Sequence, residues 1–349
     1  MTQDAVLNHR IVLAERPKTA ATLDSFRLEE APIPPLREGE LLLRTIWLSL
    51  DPYMRGRMSD APSYAAPVAI GAVMTGGTVS RVEESLNPKF APGELVVAMS
   101  GWQEFGISDG KGLFKLPNHM AHPSYALGVL GMPGFTAYMG LLDIGKPQRG
   151  ETLVVAAATG AVGSVVGQIA KLKGCRVVGV AGSREKCDWA VRELGFDACI
   201  DHHKAAFAEL LADACPTGID IYYENVGGMV LETVLPLLNA QARIPVCGLI
   251  SQYQERGAGS DAASMTRLMR TVLVKRLTMR GFIIFDDYGS RFAEFRDEME
   301  AWLAAGLVKY REDIVFGLEK APESFLGLLE GRNFGKLLVK VDGMPEPML

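Results

Sequence analysis

The apolar positions of this chain fall into two textures. From Gly150 onward, short apolar runs alternate with longer stretches of helical periodicity. The runs are Thr152–Ala157, Arg176–Ala181, Ala198–Asp201, Ile219–Asn225, Arg243–Cys247 and Thr278–Ile284, mostly rich in Val, Ile and Leu. The stretches between them predict helices over about Val162–Lys173, Arg184–Leu194, Ala205–Ala214, Met229–Leu238 and Ala262–Lys275, with another over about Tyr288–Ala305. Strands alternating with helices imply parallel pairing through right-handed crossovers, and so an α/β fold with a doubly wound parallel sheet. Up to about residue 126 the chain is instead rich in Pro and Gly. Short β-type runs at Leu41–Leu48, Val73–Val82 and Glu94–Met99 are separated by turn signals such as Arg37-Glu38-Gly39 and Ala91-Pro92-Gly93. This predicts a mostly β, barrel-like unit. The segment Tyr125–Ile144 is more helical, though Gly131-Met132-Pro133-Gly134 interrupts it. Tyr310–Val341 goes back to the β-type pattern of the first 126 residues, with a closing strand at 335–340. The expected domains are 1–127 with 301–349, and 128–300.

Composition narrows the class. A length of 349 residues suits two domains, and 48% hydrophobic with 22% charged residues is ordinary globular usage. A net charge of −5 gives no general attraction for nucleic acid or anionic lipid. The uncharged stretch Thr152–Ala170 is long enough to span a bilayer, but its three glycines and its midway switch from β-branched to small residues favour a buried strand, a turn and a buried helix. Met1-Thr2-Gln3-Asp4-Ala5 has an early acid and no apolar stretch, so the expected location is the cytoplasm, with no membrane and no nucleic-acid partner. The five cysteines are Cys175, Cys187, Cys199, Cys215 and Cys247; none lies in residues 1–174 and none forms a close cluster. A disulfide framework and a cysteine-rich zinc site are both disfavoured. His119 and His122 are read as loop residues beside Pro117 and Pro123 rather than a metal pair, so no metal is expected.

The first apolar run ends in Ala157-Ala158-Thr159-Gly160-Ala161-Val162-Gly163 and enters a helix. This is the Rossmann dinucleotide fingerprint with Ala158 in place of its first glycine. Gly160 lets the backbone approach a pyrophosphate, Gly163 lets the helix pack on the strand, and the helix N-terminus supplies N–H groups and partial positive charge. The ribose is read at the tip of the second strand, where an NAD site places an acid about 20 residues on. Here the tip reads Ala181-Gly182-Ser183-Arg184-Glu185-Lys186, a hydroxyl and two cations that suit the 2′-phosphate of NADPH. The alternative is a solvated helix face on which Arg184 and Lys186 pair with Glu185 and Asp188.

These residues and others resemble a family. The order barrel, Rossmann domain, barrel return is similar to the medium-chain dehydrogenase/reductases, the barrel being GroES-like. Within them the chain resembles the zinc-independent alkenal/one oxidoreductases, which include the prostaglandin reductases (leukotriene dehydrogenases) and, nearest, the bacterial NADPH-dependent curcumin reductases. The resemblance covers nearly the whole chain. It rests on Leu50-Asp51-Pro52-Tyr53-Met54-Arg55, Gly131-Met132-Pro133-Gly134-Phe135-Thr136-Ala137-Tyr138, the glycine turn, Glu224-Asn225-Val226-Gly227-Gly228, Cys247-Gly248-Leu249-Ile250-Ser251-Gln252-Tyr253 and Asn333-Phe334-Gly335-Lys336.

The resemblance implies a set of cofactor residues. Gly160, Ala161, Val162 and Gly163 should cradle the pyrophosphate. Lys186 should bind the 2′-phosphate, with Gly182 and Ser183 beside it. His202 stands where relatives often have Tyr by the adenosine. Asn225 should lie near the ribose and pyrophosphate, and Cys247 and Leu249 should line the nicotinamide. Phe282 and Ile284 should touch the carboxamide side. Met132, Gly134 and Thr136 should flank the cofactor from the domain junction, and Asn333 should reach it from the returning segment. A homodimer is the family expectation.

Zinc-dependent relatives need a Cys ligand in the first half, which this chain lacks. Without a metal to polarise a carbonyl, the favoured chemistry is conjugate reduction of a small-molecule enone or enal. Hydride adds to the β-carbon, a donor meets the enolate oxygen, and a proton reaches the α-carbon. Tyr253, six residues past the fifth strand, is the first candidate donor, followed by Tyr53 and Tyr64. Asp51 and Arg55 read as structural, closing a turn and pairing, and Met54, Met58 and Met74 as core residues that can also form an adaptable apolar wall. The alternatives are an NADPH quinone reductase and a non-enzymatic NADPH-binding structural protein.

Overall fold

The computed structural model describes residues 7–118, 120–254 and 262–342. His119 and nearly all of the loop 254–260 lie outside them. The chain divides into two compact units, residues 1–127 with 312–333 and 337–349, and residues 128–311 with 334–336. A helix runs Phe292–Ala304, straight through position 301, where the sequence pattern predicts the return.

The second unit is built on a six-stranded sheet in the spatial order Ala198–Asp201, Arg176–Ala181, Thr152–Ala156, Ile219–Tyr223, Leu238–Val246 and Thr278–Gly281. Every pairing in it is parallel. Numbered along the chain, the order is three-two-one-four-five-six, the doubly wound arrangement whose switch point lies between the first and fourth strands. Thr152–Ala156 is buried at every residue, because both faces of an inner parallel strand are covered; hence its unbroken apolar run. Helix Gly163–Leu172 packs close to the sheet at Gly167, where a Cβ would stand 2.0 Å from the Phe196 ring. Phe196 is itself buried and fills the room left there and at Gly179. The apparent membrane stretch is thus a strand, a turn and a helix. Among the described residues no helix is long and apolar enough to cross a membrane.

Two local expectations change. Gly131-Met132-Pro133-Gly134 does not interrupt a helix but starts one, Met132–Met139, with Pro133 in the first turn where its missing N–H costs nothing. The sixth strand ends at Gly281 rather than Ile284. Ile284 opens a short helix, Ile284–Tyr288, and the Asp287 carboxylate accepts the Ile283 N–H at 2.8 Å. Phe135 and Tyr138 of the Met132–Met139 helix pack on Phe295 at 5.1 and 5.6 Å, joining that helix to Phe292–Ala304.

The first unit is mostly strand. Leu7–Leu13 and Phe26–Pro32 form an antiparallel pair. A seven-stranded sheet runs Glu312–Phe316, Lys336–Lys340, Leu41–Ser49, Thr78–Ser85, Leu95–Ala98 and Phe114–Leu116, with Phe105–Ser108 also pairing to Leu41–Ser49. The expected strand Val73–Val82 begins only at Thr78. Before it, Val73 makes only a single antiparallel bridge to Val12, and Gly76 lies so close to Leu48 and Trp102 that a Cβ would meet Leu48 Cδ1 at 2.8 Å. The tail also carries a helix, Ala321–Leu329, inside a segment that read as β. Its Phe325 stands edge-on to Trp102 and Phe26, at 5.6 and 6.2 Å.

Candidate active site

At the end of Thr152–Ala156 the chain reverses sharply. Ala157 adopts φ 51°, a left-handed conformation that costs a non-glycine residue energy. Its carbonyl accepts the Gly160 N–H at 2.9 Å. A Cβ on Gly163 would stand 2.3 Å from that same oxygen, so only glycine fits, whereas at Gly160 the distance is 3.3 Å. Ala158, in the place of the absent first glycine, donates its N–H to the Val180 carbonyl at 3.0 Å. The space that glycine would have left is provided across the sheet. Gly179 faces Ala158 Cβ so closely that a Cβ there would sit 2.8 Å away. Ala161 and Val162 then lead into Gly163–Leu172, where the Ser164 N–H donates to the Gly160 carbonyl at 3.1 Å and those of Val165 and Val166 to the Val162 carbonyl, and whose N-terminus carries partial positive charge. Gly160 is also bridged in parallel to Gly335.

The tip of the second strand holds a second polar cluster. Ser183 caps helix Arg184–Arg192, its hydroxyl accepting the Lys186 N–H at 3.3 Å. Beside Gly182 a Cβ would meet His202 Cε1 at 3.3 Å and His203 Nε2 at 3.6 Å. The two imidazoles lie 4.1 Å apart, and His202 Nδ1 bonds the Ala181 carbonyl at 2.7 Å. Burial, and after it the adjacent His203, push the His202 pKa below 6.5 against the pull of the Ala181 carbonyl, so it is neutral at pH 7. Arg184 behaves as the solvated-face reading expects, exposed and 3.7 Å from Asp188. Gly182, Ser183, Lys186, His202 and His203 form the cluster; nothing in the sequence pattern singles out His203.

The ends of the fourth and fifth strands meet around Glu224, a residue to which the sequence pattern assigns no role. Its carboxylate is buried, and Oε1 accepts the N–H groups of Val226 at 2.6 Å and Gly227 at 2.8 Å. Its carbonyl accepts those of Cys247 at 2.9 Å and Gly248 at 3.2 Å. Among the described residues Oε2 and the buried Tyr222 hydroxyl lack a partner in strict hydrogen-bond geometry, but the two groups interact with each other. Burial raises the Glu224 pKa above 4.5, against the pull of the two N–H donors. A lone acid between Tyr222-Tyr223 and Asn225-Val226-Gly227-Gly228 is the signal that could have found it.

Around this hub stand several expected site residues. The Asn225 amide donates to the Ala156 carbonyl at 2.8 Å, at the switch point. The Tyr253 hydroxyl accepts the Leu249 N–H at 3.4 Å and folds back over the Cys247–Leu249 turn. The Cys247 thiol, pushed up to about 12 by lost hydration, stays protonated and is no nucleophile. Thr136 donates to the Met132 carbonyl at 2.7 Å, and the Tyr223 hydroxyl donates to the Thr136 carbonyl at 2.7 Å. Gly134 admits no side chain, since a Cβ would stand 1.9 Å from the Val129 carbonyl oxygen. Phe282 and Ile284 are buried, and Gly140 makes room for the Phe282 ring and the Tyr223 hydroxyl, 2.7 and 2.3 Å from where its Cβ would be.

Asn333, Tyr53 and Tyr64 belong to the first unit. Tyr53 precedes the short helix Met54–Arg57 and is half-buried. Burial, and then the charge of Asp51, hold its phenol well above the ordinary tyrosine range. Asp51 accepts a hydrogen bond from the Ser49 hydroxyl, and Arg55 donates to the Thr19 carbonyl at 2.5 Å, so both serve local structure. Met54, Met58 and Met74 are wholly buried core residues and form no open wall. Tyr64 is exposed, with the Arg57 guanidinium 5.7 Å from its ring centre. His122 stacks on Tyr125 at 4.8 Å. Among the described residues no group of His, Cys, Asp or Glu is arranged to hold a metal ion.

Comparison with known proteins places this geometry. Residues 9–116 match a family described as N-terminal domain of oxidoreductase, and residues 161–304 one described as zinc-binding dehydrogenase. The chain is 60% identical to the NADPH-dependent curcumin reductase of Escherichia coli (strain K12), over 98% of this chain and 99% of that protein. It is 43% identical to prostaglandin reductase 1 of Rattus norvegicus, over 91% and 94% of the two chains. Among solved structures it resembles CurA in complex with NADPH from Vibrio vulnificus, with TM-score 0.93, 60% identity, and 96% and 100% of the two chains covered. The chain belongs to the medium-chain dehydrogenase/reductase family, in the group that holds the curcumin and prostaglandin reductases.

Proposed function

We infer that this protein is an NADPH-dependent reductase of the carbon–carbon double bond in α,β-unsaturated ketones and aldehydes. The observation that carries the reading is the pair of anion-ready elements on adjacent strands. One is the Gly160–Gly163 turn, where Gly163 lets the helix N-terminus close on the strand end and Gly160, with only the Ala157 carbonyl oxygen within 4 Å of where its Cβ would be, leaves the backbone open to a pyrophosphate. The other is Gly182-Ser183 with Lys186, suited to a 2′-phosphate. The residues present fit NADPH, and the likeness to NADPH-dependent relatives supports the same choice. Bound NADPH supplies the hydride that adds to the β-carbon of the substrate.

The chain's own residues do the rest. Gly160, Ala161, Val162 and Gly163 hold the pyrophosphate on the helix N-terminus. Lys186 neutralises the 2′-phosphate, with Ser183 and Gly182 beside it and neutral His202 against the adenosine. Glu224 braces Val226 and Gly227 on one side and Cys247 and Gly248 on the other, so that Asn225, Cys247 and Leu249 line the ribose and nicotinamide. Met132, Thr136, Phe282, Ile284 and Asn333 complete the cofactor set. As negative charge develops on the substrate carbonyl oxygen, the Tyr253 phenol donates a hydrogen bond to it, and a proton is delivered to the α-carbon. The sum is enone, NADPH and one proton giving saturated ketone and NADP⁺. The raised Tyr53 pKa keeps that phenol a neutral donor too, and Tyr64 is the third candidate.

A homodimer belongs to the same reading. On helix Ala262–Lys275, Leu268 and Val272 pack on the core, yet Met265, Met269 and Leu273 at four-residue spacing are 50%, 58% and 77% exposed. The neighbouring strand Thr278–Gly281 ends the sheet with an open edge. The five unpaired cysteines suit a reducing compartment such as the cytoplasm.

With an alkenone, the purified protein should oxidise NADPH with a lower KM than NADH and yield the saturated ketone; turnover of quinones but of no enone would overturn the substrate class. Tyr253→Phe should lower kcat about tenfold, close to 1.4 kcal/mol of transition-state stabilisation, and unchanged kinetics would take Tyr253 out of the mechanism. The buried Glu224 gives a signed pH effect. Its folded pKa is raised above 4.5, so its contribution to stability is fully present below that value and is lost as pH rises through the folded pKa. Glu224→Gln keeps the acceptor for Val226 and Gly227 and removes the charge, so its urea midpoint should gain on wild type between pH 4.5 and 7; a pH-independent difference refutes the assignment. In sedimentation the wild type should weigh as two chains and Leu273→Glu as one, and a single-chain wild type would dispose of the dimer.

A further inference from the structure

One cluster in the second unit has no part in the reductase chemistry. Arg311 lies on the surface with its guanidinium 4.1 Å from the centre of the Phe334 ring. Its Nε donates to the Phe334 carbonyl at 3.2 Å, and its own carbonyl accepts the Lys336 N–H at 2.9 Å. The Phe334 ring in turn stands edge-on to Trp189, with centres 5.2 Å apart and planes at 86°. Cation, ring and ring thus form three consecutive layers. The stack borders a surface groove that Arg184, Asp188 and Arg192 also line.

What the stack joins matters more than its strength. Gly335 follows Phe334 directly and is bridged in parallel to Gly160 of the pyrophosphate turn. It has φ 98°, and a Cβ there would stand 2.4 Å from the Arg311 carbonyl oxygen, so only glycine fits between the two contacts. Trp189 lies one turn along the helix that Ser183 caps and that carries Lys186. One end of the stack therefore holds the turn that takes the pyrophosphate, and the other holds the helix that takes the 2′-phosphate.

We propose that the Arg311–Phe334–Trp189 stack is a positioning device that sets the separation between the two phosphate-binding elements, and so contributes to the preference for NADPH over NADH. This rests on the reading of the site as one for NADPH. Neither Arg311, Phe334 nor Trp189 touches the reacting atoms. When the stack is lost, helix Arg184–Arg192 keeps its Ser183 cap and the packing of Cys187 and Ala190, but its position relative to the turn loosens. NADH, which needs only the turn, tolerates that shift. NADPH, which must satisfy both elements at once, does not.

The test is steady-state kinetics of Phe334→Ala with both cofactors, alongside cofactor titration by nucleotide fluorescence. The KM for NADPH should rise at least about tenfold and that for NADH less than about threefold, with kcat at saturating NADPH within about twofold of wild type. Phe334→Tyr, which keeps the ring, should return the NADPH value to within about threefold. Arg311→Gln removes only the exposed layer and should shift the ratio of the two KM values in the same direction by about threefold, which preserves the test if Phe334→Ala does not fold. Equal rises for the two cofactors, a fall in kcat without change in the KM ratio, or no change in either single variant would overturn the proposal. Failure of the wild type to bind NADPH at all would remove the cofactor reading, and the proposal with it.

Discussion

The nucleotide unit depends on a single carbonyl. The oxygen of Ala157 terminates the central strand, accepts the Gly160 N–H, and stands where a side chain on Gly163 would be. A helix can approach the strand end this closely only because Gly163 has nothing to place there, and the chain reverses in so few residues because Ala157 accepts a left-handed φ. The strain is local and is offset by burial. The strand behind the turn is buried throughout, and the helix ahead of it is buried from Gly163 to Ala170. A larger residue at either point would move the helix N-terminus away from the position where its partial positive charge can meet a phosphate.

At the same carboxyl end of the sheet, Glu224 does for the loops after the fourth and fifth strands what Ala157 does for the turn after the first. Burying a carboxylate is unfavourable, and the raised pKa records that penalty. The result is two loops held by one residue. The side chain fixes Val226 and Gly227, the carbonyl fixes Cys247 and Gly248, and the Asn225 amide then reaches the Ala156 carbonyl. An uncharged apolar residue would pack here with less penalty but would leave two buried N–H groups unpaired. Arrangements that sacrifice stability for loop geometry are expected where a cofactor must be held.

The legible parts of the sequence are those in which one physical requirement dominates. The inner parallel strands Arg176–Ala181, Thr152–Ala156 and Ile219–Tyr223 are readable because a strand covered on both faces must be apolar at nearly every position. The glycine turn is readable because steric exclusion admits no substitute at Gly163. Where two requirements compete, the pattern misleads. The Ala321–Leu329 helix is hidden among Gly and Pro signals, although Ala321, Phe325, Leu328 and Leu329 have helical spacing and are all buried. Val73–Gly77 has strand composition but makes only one bridge, Val73 to Val12, and Gly76 sits tight against Leu48 and Trp102, partners that no local pattern encodes. Glu224, His203 and Gly179 act through residues distant in sequence, and only the assembled sheet brings those neighbours together.

The replacement of the first fingerprint glycine shows how such long-range compensation operates. With Ala158 in that position, the turn carries a methyl group that the motif normally omits. The second strand accommodates it by having Gly179 opposite, while the Ala158 N–H bonds the Val180 carbonyl one residue further on. The same two strands are in register from Thr152↔Arg176 to Ala156↔Val180. The pyrophosphate turn and the Gly182-Ser183 tip are therefore extensions of one ladder, and neither can move along the strand direction without breaking it. What the ladder does not restrain is the outer end of helix Arg184–Arg192, which leaves the sheet after Ser183. Any device that holds this helix must reach it from outside the ladder, and the segment Phe334–Lys336 is placed to do so, contacting Trp189 through one residue and Gly160 through the next.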